Sequence, residues 1–215
     1  MAKEKGAWVH IDGAFGLWAR VSPEKGKLAA GCELADSWAI DLHKWLNVPY
    51  DSGLIICKEP KLLQEALSIS AAYLPDSVEV EPYFYTPEMS RRARGMETWA
   101  ALYSLGQQGV VELIERCCRY AELFATYLKQ AGFHILNEVT LNQVLVSFGD
   151  AALTNSIIKQ IQDDGTCWCG GTVWKGKTAM RISVSSWMTT AEDIEKCSAF
   201  IINIANEELS GNKGV

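Results

Sequence analysis

The stretches Trp8-Val9-His10-Ile11-Asp12-Gly13-Ala14-Phe15-Gly16 and Ser37-Trp38-Ala39-Ile40-Asp41-Leu42-His43-Lys44-Trp45 decide how the chain is read. Each opens as a short β-rich run without an alternating polar face. The first ends at Asp12 and breaks into a glycine-flanked loop, while the second ends at Asp41 with Lys44 just beyond. A third apolar run, Gly53-Leu54-Ile55-Ile56-Cys57, follows the turn-like Pro49-Tyr50-Asp51-Ser52. Three such runs close together predict an α/β sheet covered on both faces. Neighbouring strand ends in an open α/β sheet face one crevice, where ligands bind. Asp12 and Lys44 would then bring a carboxylate and an amine to one pocket. The same residues allow a plainer reading, with Asp12 capping a loop and Lys44 a solvated lysine on an apolar stem.

Downstream, Lys61 to Leu67 reads as a short helix, and the proline-punctuated, aromatic, acidic stretch from Pro75 to Pro87 as a long loop. Arg91 to Leu105 reads as helical. Val110, Leu113 or Ile114, Cys117, Ala121, Phe124, Leu128 and Ala131 then recur at three- and four-residue steps, and Gly132 stands where a helix stops. Strand-like runs follow at Phe133 to Leu136 and Gln143 to Phe148, a helix at Leu153 to Asp164, and two more strands around Thr166 to Trp174 and Ala179 to Val184. The last helix opens at Thr190, with Asp193 in the place of a capping-box acid, and carries Ile194, Cys197, Ile201 and Ile204. This order predicts helices packed on one face of a small, mostly antiparallel sheet. The chain is therefore divided into part of a larger α/β domain over residues 1–105, and a connecting helix with a compact α+β domain over residues 106–215. The tail from Gly211 to Val215 is expected to fray.

With 215 residues, 48% of them hydrophobic and 21% charged, the chain has the composition of a globular protein with a real core, which excludes wholesale disorder. The 20 basic against 26 acidic residues leave a net charge of −6 and no basic run, which speaks against a nucleic-acid partner. No apolar stretch approaches the roughly 20 residues that cross a bilayer, and the opening Met1 to Gly6 lacks a signal-peptide core. No membrane partner and a cytoplasmic location are expected. Seven cysteines without small-scaffold spacing fit reduced thiols. Cys167-Trp168-Cys169 has half the ligands of a zinc site, but no second pair or histidine accompanies it, so no metal is expected. Trp168 and Trp174 are expected to bury domain or subunit contacts.

The run from His10 to Gly16 and the run from Ala35 to Gly53, centred on Asp41-Leu42-His43-Lys44-Trp45, resemble the group II pyridoxal-phosphate-dependent decarboxylases of the glutamate and aromatic-L-amino-acid type. Ser90-Arg91-Arg92-Ala93-Arg94 and Arg181-Ile182-Ser183-Val184 look like later landmarks of that family, and the resemblance covers nearly the whole chain. It implies the carboxy-terminal part of an aspartate-aminotransferase-like, type I pyridoxal-phosphate-dependent transferase fold with a small α+β domain, and pyridoxal 5'-phosphate as cofactor. By that resemblance Lys44 is the Schiff-base lysine, which must react as a neutral amine. Asp12 pairs with the pyridine nitrogen and keeps it protonated, making the ring a better electron sink. Ala14 matches the alanine that packs on the cofactor ring, with Gly13 a low-cost departure from the commoner alanine before it. His43 matches the histidine beside the lysine, near the phosphate. Tyr73 to Pro87 corresponds to the family's catalytic loop, where Tyr83, or alternatively Tyr85, would protonate the carbanion. Arg94 and Arg181 would clamp a carboxylate or phosphate bidentately, or else serve in structural ion pairs.

The activity implied is decarboxylation of an amino acid, by a homodimer that includes the complete chain. The family places its lysine well past the middle of a longer chain, so these 215 residues look like a carboxy-terminal half. The elements expected to hold the phosphate and stack on the pyridine precede Asp12 in the family. Losing several charge-assisted bonds of about 1.5–3 kcal/mol each predicts little or no activity for this piece alone. An aminotransferase would use the same Asp and Lys. A non-catalytic piece docking on a full-length subunit through the helix from Val110 to Ala131 is the third alternative.

Overall fold

A computed structural model of the chain describes residues 2–67 and 81–211. The tail beyond Gly211 and residues 73–80 of the expected catalytic loop lie outside the described residues. The chain divides into two compact units, Met1–Arg20 with Gly26–Gly106, and Val21–Lys25 with Gln107–Val215.

In the first unit, β1 (His10–Asp12), β2 (Ser37–Asp41) and β3 (Gly53–Cys57) form one sheet in the order β1-β2-β3. β1 runs parallel to β2 with Asp12 opposite Ala39, and β3 runs antiparallel to β2 with Gly53 opposite Asp41. The Gly13 amide extends the first ladder by donating to the Ala39 carbonyl at 2.8 Å. Directly after β2 comes the single helical turn α1 (Leu42–Trp45). Its i, i+3 pair Leu42 and Trp45 turns inward, 4% and 0% exposed, and leaves His43 and Lys44 partly exposed. A short α2 (Pro60–Leu67) follows.

The two-sided cover expected for these apolar strands is not found over β3. Leu54, Ile55 and Ile56 are 45%, 49% and 43% exposed. Continuous apolarity signals burial on both faces, but it does not fix strand direction. β3 is an antiparallel edge, with no strand beyond it among the described residues.

Helix α3 (Gly95–Gln130) is broken at Gly106, whose φ of 59° with ψ of −179° is backbone that glycine adopts without strain. The unit boundary falls at this break. At its far end Gly132, with φ of 90°, closes the helix, and the Phe133 amide returns to the Leu128 carbonyl at 3.0 Å.

The second unit joins residues 107–130 of α3 to β4 (His134–Ile135), β5 (Gln143–Ser147), α4 (Ala151–Asp164), β6 (Gly170–Trp174), β7 (Lys177–Ser183) and α5 (Ala191–Gly211). The sheet order is β4-β5-β7-β6, antiparallel throughout. Asp150 caps α4 by accepting from the Leu153 amide at 2.8 Å, and Gly165, with φ of 83°, ends it. Thr190 and Asp193 form a reciprocal box at the start of α5: the Thr190 amide donates to Asp193 Oδ2 at 2.9 Å and the Asp193 amide to Thr190 Oγ1 at 3.2 Å. Val144, Val146, Ile157, Ile161, Met180 and Ile201 are fully buried between sheet and helices. Among the described residues, no helix is long and apolar enough to cross a membrane.

Candidate active site

Because β1 and β2 are parallel, their carboxy-terminal ends emerge at the same edge of the sheet, which brings the loop after Asp12 beside α1. Asp12 Oδ1 accepts from the Ala14 amide at 3.2 Å, an Asx-type turn that bends the chain away from the strand. Gly13 follows for a steric reason. A Cβ there would lie 2.5 Å from Leu17 Cβ and 3.0 Å from the Ala39 carbonyl oxygen. Glycine is thus required by the way this loop packs, which the sequence reading, treating it as a neutral departure from alanine, does not capture.

Two indoles tie the loop to the end of β2. Trp45 Nε1 donates to the Phe15 carbonyl at 3.1 Å and Trp18 Nε1 to the Asp41 carbonyl at 3.4 Å. The Phe15 and Trp45 rings meet edge to face at 5.8 Å. Lys44 Nζ then lies 5.0 Å from the centre of the Phe15 ring and 2.6 Å from Asp41 Oδ2. Its side chain is 32% exposed, so the amine is reachable from solvent. His43 Nδ1 sits 2.8 Å from the Ser52 carbonyl, an acceptor, and therefore carries the proton. That fixes Nε2 toward Asp41 Oδ2, at 3.8 Å, while the ring stacks on Tyr50 at 4.1 Å.

Asp12, Ala14, His43 and Lys44 are thus gathered at one sheet edge, together with two residues sequence reading did not single out, Phe15 and Asp41. Asp41 could have been found, since i, i+3 spacing across a helical turn pairs it with Lys44. Phe15 could not, because its place depends on the Trp45 bond.

The other candidates lie elsewhere. Tyr83, Tyr85, Arg91, Arg92, Arg94 and Thr98 line a hollow of about 830 Å³ in the first unit, whose lining does not include Asp12, Ala14, His43 or Lys44. Its guanidinium groups are matched by carboxylates. Arg94 Nε donates to Asp51 Oδ1 at 2.5 Å, Arg92 Nη1 to Glu97 Oε1 at 2.5 Å, and Arg91 Nη1 stands 3.4 Å from Glu88 Oε2. Arg181 belongs to the second unit, exposed on β7 between Leu145 of β5 and Gly170 of β6.

The hydrogen bond from Arg94 holds the Asp51 carboxyl below the usual carboxylate range, and Asp51 raises Arg94 in return. A carboxyl held low in the folded state stabilises it above the ordinary carboxylate value and loses that contribution as pH falls through the lowered one. Arg94→Gln is therefore expected to lower Tm at pH 6 and to narrow its gap to the parent chain as pH falls below the ordinary carboxylate value of about 3.9, read by thermal melts across pH 2–6. A gap that stays constant over that range would count against the ion pair.

The family model described as "Pyridoxal-dependent decarboxylase conserved domain" matches residues 1–149. The aromatic-L-amino-acid decarboxylase of Drosophila lebanonensis is 27% identical over 218 residues, covering 99% of this chain and 54% of that protein. The histidine decarboxylase of Drosophila melanogaster is 28% identical over 207 residues, covering 94% of this chain and 24% of that protein. Among solved structures, that of Oryza sativa TDC with PLP and tryptamine aligns with a TM-score of 0.87 at 20% identity, covering 96% of this chain and 46% of that one. Catharanthus roseus tryptophan decarboxylase in complex with L-tryptophan gives 0.82 at 21%, with the same coverages of 96% and 46%. At such identities the structural likeness establishes the fold. The chain spans about half the length of these relatives, and less of the histidine decarboxylase.

Proposed function

Since the chain belongs to the pyridoxal-dependent decarboxylase family and has its mixed α/β, type I fold, we propose that it is the part of an amino acid decarboxylase that carries the cofactor-linking lysine and the pyridine-nitrogen carboxylate. The cofactor is pyridoxal phosphate. The observation that carries the reading is the shared sheet edge of Asp12 and Lys44.

The residues present suit that cofactor. A protonated pyridine nitrogen needs a carboxylate and an aldehyde needs a primary amine, and the two parallel strands supply one of each. Bound there, pyridoxal phosphate supplies an electron sink for the pair left behind when carbon dioxide departs. In the proposal Asp12 holds the proton on the ring nitrogen through a charge-assisted bond. Lys44, on release from Asp41 and with its proton given to solvent, would be the free amine that holds the cofactor aldehyde. Ala14 offers a methyl group small enough for a flat ring to pack on. His43, with its ring held in place by the Ser52 carbonyl, would stand beside the lysine near the phosphate. Tyr83, with Tyr85 as alternative, delivers the proton that replaces the carboxylate. Arg94 would take a substrate carboxylate by giving up Asp51. For Arg181 the support is the resemblance of its strand alone.

Residues 1–105 would be the cofactor-binding part and residues 106–215 the connecting helix and small domain, in a cytoplasmic homodimer that includes the complete chain. Purified as these 215 residues, the protein is expected to turn over at least about 100-fold more slowly than a full-length relative, as two or more lost phosphate bonds imply. The reaction class is tested by incubation with pyridoxal phosphate and a panel of amino acids. Amine and carbon dioxide are the expected products. Oxo acid as the main product would favour the aminotransferase alternative and overturn the decarboxylase reading.

A further inference from the structure

Ser52 is a buried polar residue, 2% exposed, that directly precedes β3. Its carbonyl takes the first two amides of α1: Leu42 donates to it at 3.0 Å and His43 at 3.2 Å, and the His43 ring joins them through Nδ1 at 2.8 Å. A helix leaves its first amides without a partner of its own, and a side chain at the N-cap position usually supplies one. Asp41 occupies that position, but its carboxylate reaches Lys44 Nζ at 2.6 Å instead of capping the turn. Ser52 caps α1 in its place and so leaves the Asp41 carboxylate to the lysine.

Ser52 is itself held from the first turn of α3. Thr98 Oγ1 donates to the Arg94 carbonyl at 3.2 Å, which uses the single proton of that hydroxyl. The Ser52 hydroxyl, 3.1 Å from Thr98 Oγ1, is therefore the donor of that pair. The two residues before Ser52 are gripped from the same stretch: Arg92 Nη2 donates to the Tyr50 carbonyl at 3.1 Å, and Arg94 Nε to Asp51 Oδ1 at 2.5 Å. The Tyr50 ring in turn lies 4.1 Å from the His43 ring.

We propose that Ser52 and Thr98 are positioning residues for Lys44: Thr98 fixes Ser52, Ser52 fixes α1, and α1 holds the amine between the Asp41 carboxylate and the Phe15 ring. The proposal rests on the reading of Lys44 as the cofactor-linking lysine. Both residues act through the backbone of α1, and 46 positions of sequence separate them.

The test is Thr98→Val, which keeps the shape of the side chain and leaves the buried Ser52 hydroxyl without its acceptor. Loss of one hydrogen bond corresponds to an effect of about fivefold. In the chain without cofactor, the Leu42 and His43 amides should exchange hydrogen about fivefold faster, while the Gly13 amide, bonded to the Ala39 carbonyl in the same unit, keeps its rate. Timed trapping with pyridoxal phosphate and borohydride should label Lys44 about fivefold more slowly. Thr98→Ser, which retains the hydroxyl, should restore both readings. Ser52→Ala should match Thr98→Val, and the double variant should be no worse than either single one, as expected of two residues that act as a pair. Parent-like exchange at Leu42 and His43 in Thr98→Val would overturn the proposal. So would an equal change at Gly13, which marks general weakening of the unit, or faster exchange with Lys44 still labelled at the parent rate. A parent chain that takes no label on Lys44, with exchange changing as described, would strike the cofactor reading and leave the hold of Thr98 on α1 standing.

Discussion

Lys44→Ala is expected to lower retention of pyridoxal phosphate by the chain at least about 100-fold, the order of effect when a specific link is lost and only weak contacts remain. The reason is positional. Lys44 combines an amine at the carboxy-terminal edge of two parallel strands, a carboxylate 2.6 Å away that orients it, and an aromatic ring beneath it. Two other lysines are held differently. Lys25 is held by Glu122 at 3.0 Å in the second unit, and Lys58 lies over Trp38 at the opposite end of β2–β3, beside Cys57. Lys44→Arg should fail to rescue, because a guanidinium stays protonated and cannot condense with an aldehyde. Dialysis followed by absorbance of the retained cofactor reads the effect. Equal retention by Lys44→Ala and the parent chain would remove Lys44 from the site.

Trp45→Ala is expected to destabilise the first unit by about 3–5 kcal/mol, the usual range for deleting a fully buried tryptophan. Trp45 is 0% exposed, and its loss removes both the edge contact with Phe15 and the indole bond to the Phe15 carbonyl. Against total stabilities of about 5–15 kcal/mol, that is enough to unfold a marginal unit. Trp45→Phe, which keeps a ring but no donor, should recover most of the loss, with about 1 kcal/mol still missing for the hydrogen bond. Urea denaturation followed by circular dichroism measures both. The same contacts hold Phe15 under Lys44, so cofactor retention should fall in Trp45→Phe more than its stability does. Near-parent stability of Trp45→Ala would show that the loop after β1 does not depend on this indole.

Much of the second unit is legible in its residues because local rules and tertiary packing agree there. The steps from Val110 to Leu128, the stop at Gly132, and the Thr190–Asp193 box all read directly, and the elements lie where those signals place them. The break at Gly106 does not read, since a glycine within a helical period does not announce a positive φ. In the first unit, apolar composition locates β3 but says nothing of its antiparallel direction or its exposure. At the site, Asp12 and Lys44 stand out as charges closing apolar strands, a signal carried by the chain itself. What surrounds them is less legible. Arg94 finds Asp51 from 43 positions away, and the hollow that takes Tyr83 and Arg94 forms without Lys44 in its lining. Contacts of that range depend on how strands are ordered, which no local spacing encodes.

The most direct test of the account is to add pyridoxal phosphate to the native chain, reduce with borohydride and map the modified peptide. One pyridoxyl group on Lys44, at near one per chain and unchanged in position by Asp12→Ala, is the result the account predicts. Label scattered over several lysines, with no excess on Lys44, would contradict it.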